Sequence, residues 1–300
     1  MSDGAITAIA SREVTVAPRG ARENAHTFSI RVCAPARERP SLGVLVLPAM
    51  SVAATFYDRV LEAFASRGVA AVSADWRGFG SSSLRARRGT DWGYRELLCD
   101  DLPAAATAAK SAFDDSISWA LFGHSLGGQL GAIMAAREPD RFESVVTFAA
   151  CSVDFRGWNG PSALAILAFT QLARLTSDAM GYYPGDRMRF GGRDARGVIT
   201  DWSNQCRTGR YAARGLDEDL ELALRRYEKR ALLVNCAGDE WAPAAAVDRL
   251  RAKMPRASTE RWVYERDSRN RNAGPSKEHF AWARDPAPWA PAVVDWLRAR

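Results

Sequence analysis

The chain has 300 residues, of which 47% are hydrophobic and 25% charged, and a formal net charge of +6. This is ample for a sizeable core in one large domain or two small ones, with the balance of an ordinary soluble globular protein. The positive charge is scattered arginine, without a long basic run or zinc-finger spacing. That excludes a nucleic-acid signature and leaves a solvated basic surface, or else steering of an anionic substrate or an acidic partner protein.

The first residues, MSDGAITAIA, lack a basic segment followed by a long apolar core, so no secretory signal is expected. REVTVAP and HTFSIRVCAP alternate apolar and polar residues, as an antiparallel strand pair would. GVLVLPA (43–49) is apolar throughout and suits a strand buried on both faces. FYDRVLEAFASRG follows with helical spacing: Phe56, Val60, Leu61 and Phe64 share a side, and Gly68 marks the stop. VAAVSAD (69–75) reads as the next strand and 101–113 as a helix. ISWALFG (117–123) is a strand, LGGQLGAIMAAREP (126–139) a helix ended by Pro139, and ESVVTFAAC (143–151) another strand.

Between 152 and 225 the alternation stops, and the segment reads as helices and loops. The strand RALLVNCAG (230–238), the helix AAAVDRLRAKM, the strand STERWVYER and a final helix, PWAPAVVDWLRAR, resume it. Strands alternating with helices imply a mostly parallel sheet covered on both faces. The expected organisation is an α/β core from 1–151 and 226–300, with 152–225 inserted as a helical cap. The longest helix-like apolar stretch, ALAILAFTQLARL, is too short and too polar at its end to cross a bilayer, so no membrane association is expected. The five cysteines, Cys33, Cys99, Cys151, Cys206 and Cys236, are far apart and never form a CxxC pair. They suit reduced thiols in a cytoplasmic protein, with neither a disulfide nor a zinc framework.

Within WALFGHSLGGQL, Ser125 stands at the strand-to-helix junction inside Gly123-His124-Ser125-Leu126-Gly127. This is the G-x-S-x-G pattern of a nucleophile elbow, which chance alone would place in about one chain in ten of this length. Its position between an apolar strand and a small-residue helix strengthens it. Such a turn strains the serine backbone and admits only small flanking residues. It lifts the hydroxyl to the N-terminus of the next helix, whose free N–H groups face any oxyanion formed there.

A serine nucleophile needs a base, and the chain has 3 histidines. His26 lies in an early strand, and His124 is pointed away from the reacting face by the elbow itself. His279, in SKEHFAWARD, is the expected base. The acid that orients it is expected just past a strand end, on the rim that carries the elbow: Asp239 first, Glu240 second, Asp267 a distant third. The three side chains should converge at one end of the sheet, with the Ser125 hydroxyl touching the His279 imidazole.

With these residues in place, the sequence resembles the α/β-hydrolase superfamily over about 40–300. Besides GHSLGG, DWRGFGSS (75–82) is similar to the family's D-x-R-G-x-G-x-S segment, and AGDEWAP to its acid loop G-D-x-x-x-P. YYPG, TDW and EHFAW resemble a group of bacterial hydrolases. The resemblance implies that Asp75, Arg77, Gly78 and Gly80 shape a turn near the site rim without a chemical role. It also implies an oxyanion hole from two backbone N–H groups, Leu126 and a residue after the third strand. Where family members often carry His-Gly, this chain reads Pro48-Ala49-Met50. Proline has no N–H to offer, so Met50 is expected there, with Ala49 as the alternative.

In the segment over the site, Leu164, Leu167, Ala168, Leu172 and Leu175 have helical spacing. They read as a cap helix packed on the core, with pocket lining as the alternative. Trp158, Tyr182, Tyr183 and Trp202 read as packing anchors or pocket walls. Arg85, Arg87, Arg88, Arg187, Arg189 and Arg193 read as solvated, or as ligands of a substrate carboxylate or phosphate. The resemblance implies a serine hydrolase acting on a carboxylic ester or related small-molecule acyl substrate, without a metal or organic cofactor. An acyltransferase or thioesterase is the alternative, with an alcohol, an amine or a carrier-protein thiol as partner, the carrier acidic; a non-catalytic receptor on the same fold is a further one. Oligomeric state is left open.

Overall fold

A computed structural model of the chain describes residues 4–17, 25–114, 116–266 and 275–299. The first strands are β1 (Ala10–Val16), β2 (His26–Cys33), β3 (Leu42–Leu47) and β4 (Ala70–Ala74), with α1 (Asp58–Ala65) between the last two. Next come α2 (Tyr94–Glu96), a π-helical turn (Leu97–Asp101) and α3 (Leu102–Ser111). They are followed by β5 (Ser118–His124), α4 (Leu126–Arg137) and β6 (Ser144–Phe148). The chain then leaves the main sheet. It forms α5 (Pro161–Met180), β7 (Tyr182–Pro184), α6 (Gly185–Met188), β8 (Arg193–Ala195), α7 (Arg196–Thr208) and α8 (Leu220–Arg226). It returns with β9 (Arg230–Cys236), α9 (Ala244–Arg251), β10 (Ser258–Tyr264), α10 (Pro275–Arg284) and α11 (Ala290–Arg298).

The main sheet has 8 strands in the order β1-β2-β4-β3-β5-β6-β9-β10. Its pairs are parallel except β1 with β2 and β2 with β4. β4 and β6 are buried along their whole length, Ser73, Ser144 and Thr147 included, because helices cover both faces. On one face Val60, Leu61 and Phe64 of α1 and Val293, Val294 and Leu297 of α11 form one core with Trp282 and Trp289. On the other, α3, α4, α8 and α9 pack a second core around Leu45, Leu121 and Leu233. β3 is followed by β4 on one side and then by β5 on the other. The order therefore reverses at β3, and ligands of such sheets bind outside the carboxyl ends of the strands at that reversal.

The segment between β6 and β9 departs from the sequence reading in two respects. It contains a small antiparallel pair, β7 with β8, whose 3-residue strands are too short to show an alternating pattern. In α5, Leu164, Leu172 and Leu175 point outward, and the buried positions are Thr170, Ala173 and Ser177. These small residues let α5 lie close to α7, and both hydroxyls are satisfied within the helix, Thr170 on the Leu167 carbonyl and Ser177 on that of Ala173. Among the described residues no helix is long and apolar enough to cross a membrane.

Candidate active site

Ser125 has φ 51° and ψ −118°, a conformation that costs a non-glycine residue energy and persists only where its surroundings enforce it. Its N–H donates to the Phe148 carbonyl of β6, and its carbonyl accepts from Gly128 and Gln129. The glycines are required by approach. A Cβ on Gly127 would lie 2.3 Å from the Leu47 and Pro48 carbonyl oxygens. One on Gly123 would lie 2.4 Å from Gly127 and Gly128, and one on Gly128 2.5 Å from the Ala150 side chain. α4 thus starts directly against the ends of β3, β5 and β6.

Asp239 follows β9 and is buried. Its Oδ1 accepts from the Trp241 and Ala242 N–H groups at 2.9 and 3.2 Å, and its Oδ2 lies 2.8 Å from His279 Nδ1. Glu240, the second choice, is exposed and holds Trp158 through its carbonyl. Asp267 lies outside the described residues, as does most of the polar approach to His279. His279 itself is buried in α10. That helix is anchored by Trp282, which stacks 4.1 Å from Phe148 and donates its indole N–H to the His279 carbonyl.

Ser125 and His279 open onto one cavity of about 290 Å³, with Leu126 and Met50 in the same wall. No hydrogen bond joins the Ser125 hydroxyl to the His279 ring, although both line the same cavity. The Ala49 N–H is taken, donating to Tyr57 Oη at 2.9 Å, whereas the Met50 N–H has no acceptor among the described residues. Of the two candidates, Met50 therefore has the N–H left free among the described residues.

His124 is buried beneath this site. Its Nδ1 lies 2.7 Å from Tyr57 Oη, and its ring is 4.9 Å from that of His279. Burial first, then repulsion from His279, holds its pKa well below the ordinary histidine value, so it stays neutral. His26 is remote, paired with Asp101 at 3.0 Å. Arg77 also binds Asp101, and although burial opposes ionisation, bonds from His26 and Arg77 keep that carboxyl low. Asp75 accepts from Ala54 and Ser81, so the 75–82 turn is held by these buried carboxylates.

Residues the sequence reading left out also line the cavity: Gln129, Cys151, Phe169, Phe190 and Trp241. Trp158 and Trp202 line it too, but Tyr182 and Tyr183 do not. None of the six arginines singled out above lines it either. Arg85 and Arg88 bond backbone carbonyls, and Arg193 lies over the Tyr182 ring. Among the described residues no group of three or more His, Cys, Asp or Glu side chains is placed to hold a metal ion.

The family model described as serine aminopeptidase, S33, matches residues 38–186, just under half of the chain. Among solved structures, a thermophilic esterase from Thermogutta terrifontis is similar, with 15% identity and a TM-score of 0.61 over 96% of this chain and 98% of that one. A thioesterase domain from the curacin biosynthetic pathway has 14% identity and a TM-score of 0.55, covering 96% of this chain and 100% of that one. A predicted CIB-like hydrolase from Thermoplasma acidophilum has 14% identity and a TM-score of 0.54, covering 97% and 99%. No curated protein sequence matches the chain. The matched segment runs from just before β3 past the strained serine, and the likeness to these structures, with the mostly parallel eight-stranded sheet and its helices, shows that the chain has the α/β-hydrolase fold.

Proposed function

We propose that the protein is a serine hydrolase that cleaves a carboxylic ester or a related acyl compound through an acyl-enzyme on Ser125. The Ser125 hydroxyl attacks the acyl carbonyl as His279 Nε2 takes its proton. Asp239, bonded to Nδ1, fixes the ring tautomer and stabilises the imidazolium. The N–H groups of Leu126, at the head of α4, and Met50 receive the oxyanion. The carbonyl then reforms, the C–O bond to the leaving group breaks, and His279 returns the proton to it. A water molecule repeats the cycle on the acyl-enzyme and releases the acid.

The observation that supports this reading best is the shared cavity. A serine held at positive φ and a histidine already bonded to a buried carboxylate open onto the same space. The test is labelling with a fluorophosphonate. Wild type should carry the label on Ser125, and Ser125→Ala should lose it together with about 10³-fold or more of its ester hydrolysis. Undiminished hydrolysis in Ser125→Ala refutes the proposal. Adding alcohol, amine and thiol acceptors to the same assay separates hydrolysis from acyl transfer.

A further inference from the structure

Deep in the cavity one polar side chain has an unused donor. Gln129 lies on α4, four residues after Ser125, and is only 2% exposed. Its Oε1 accepts from Tyr211 Oη at 3.1 Å. The amide is thus set with Oε1, not Nε2, towards Tyr211. Gln129 Nε2 then has no protein partner among the described residues, while the side chain lines the cavity.

The other walls are apolar. Phe190 is central: Phe169 meets it edge-on at 4.8 Å, Trp202 stacks on it at 5.7 Å, and Trp241 lies 5.1 Å away. Among the described residues no lysine or arginine lines the cavity, and the one lining carboxylate is Glu240, which is exposed. An anionic group enclosed here would lose its hydration without gaining a cation, so a neutral substrate is favoured.

Resting on the hydrolase reading, we infer that the substrate's enclosed part is neutral and bulky, aromatic or alicyclic, and carries a hydrogen-bond acceptor that Gln129 reads. Ser125 and Gln129 line the same cavity of about 290 Å³. The acceptor therefore lies a few bonds from the reacting carbonyl. A purely hydrocarbon group at that point leaves a buried N–H unpaired, which sites of this kind penalise strongly.

The test compares p-nitrophenyl 4-oxo-4-phenylbutanoate with p-nitrophenyl 4-phenylbutanoate, which replaces the distal carbonyl by a methylene. The ratio of their kcat/KM values is taken in wild type and in Gln129→Leu, so that intrinsic ester reactivity cancels. The ratio should fall about tenfold in the variant. A ratio unchanged within twofold, in a variant that still unfolds cooperatively, overturns the inference. If Gln129→Leu does not fold, Tyr211→Phe carries the test: it frees the amide to turn, so the ratio should fall about threefold, and constancy again overturns the inference. Wild type that takes no fluorophosphonate on Ser125 removes the hydrolase reading and this inference with it. Normal labelling with an unchanged ratio removes the inference alone.

Discussion

Tyr57 is a buried hydroxyl with two obligations. It accepts the Ala49 N–H and meets His124 Nδ1. Burial raises its pKa so far that it keeps its proton, and the neutral His124 ring accepts it. One phenol thus ties the loop that carries Met50 to the strand end that carries Ser125. In Tyr57→Phe both partners are left buried and unpaired, at a cost of about 2–4 kcal/mol in stability. The Met50 N–H loses its placement, so kcat should drop about tenfold with KM nearly constant. Urea unfolding and steady-state kinetics on a small ester check this; a rise in KM alone would show that Tyr57 only shapes the cavity. None of this is legible in the sequence, because Tyr57 meets His124 across 67 residues and Gln129 meets Tyr211 across 82. G-x-S-x-G is legible because its constraint is local: a strand, a strained turn and a helix within a few residues.

At the scale of elements, the start of α4 is set by backbone contact and its middle by side chains. Gly127→Ala places a methyl against the carbonyls of Leu47 and Pro48, which have no rotamer to yield. α4 must then move off β3, with an expected loss of about 3 kcal/mol or more. Gly131→Ala is the control. Its methyl would lie 3.2 Å from Leu47 Cδ1, the movable end of a side chain, and alanine recovers about 0.5–1 kcal/mol of helix propensity. Its unfolding midpoint should stay close to that of wild type, and equal losses in the two variants would refute the distinction. The same contrast explains which elements the sequence displays. Core strands read as apolar runs because both faces are covered. The packing face of α5 reads wrongly because close approach to α7 selects Thr170, Ala173 and Ser177, which carry little apolar signal. The leucines that do carry it face outward.

Across the whole molecule, the segment between β6 and β9 does more than cover the cavity. Ser51, at φ 64° and next to Met50, donates its hydroxyl to Asp194 of β8. Asp194 also faces the Tyr183 and Tyr94 phenols, and no lysine, arginine or histidine bonds it among the described residues. Burial raises its pKa to about 7, against the Ser51 bond, which lowers it. The folded protein then holds this proton more tightly than the unfolded chain. Its contribution to stability is complete below about pH 4 and is lost as pH rises through about 7, by up to about 4 kcal/mol. Asp194→Asn keeps an acceptor for Ser51 and cannot ionise. Its melting temperature relative to wild type should climb between pH 4 and pH 8, and a flat difference would refute the assignment.

The order in which strands enter the sheet also bears on how the protein is made. β6 is a wholly buried strand whose outer neighbour, β9, begins only at Arg230, and the helix bearing His279 follows later still. A chain emerging from a ribosome therefore carries a bare, sticky strand edge through the synthesis of residues 149–229. In that interval it holds Ser125 but not yet His279. Chaperone demand should peak in this window, and the activity proposed for Ser125 should appear only after the last helices have left the exit tunnel.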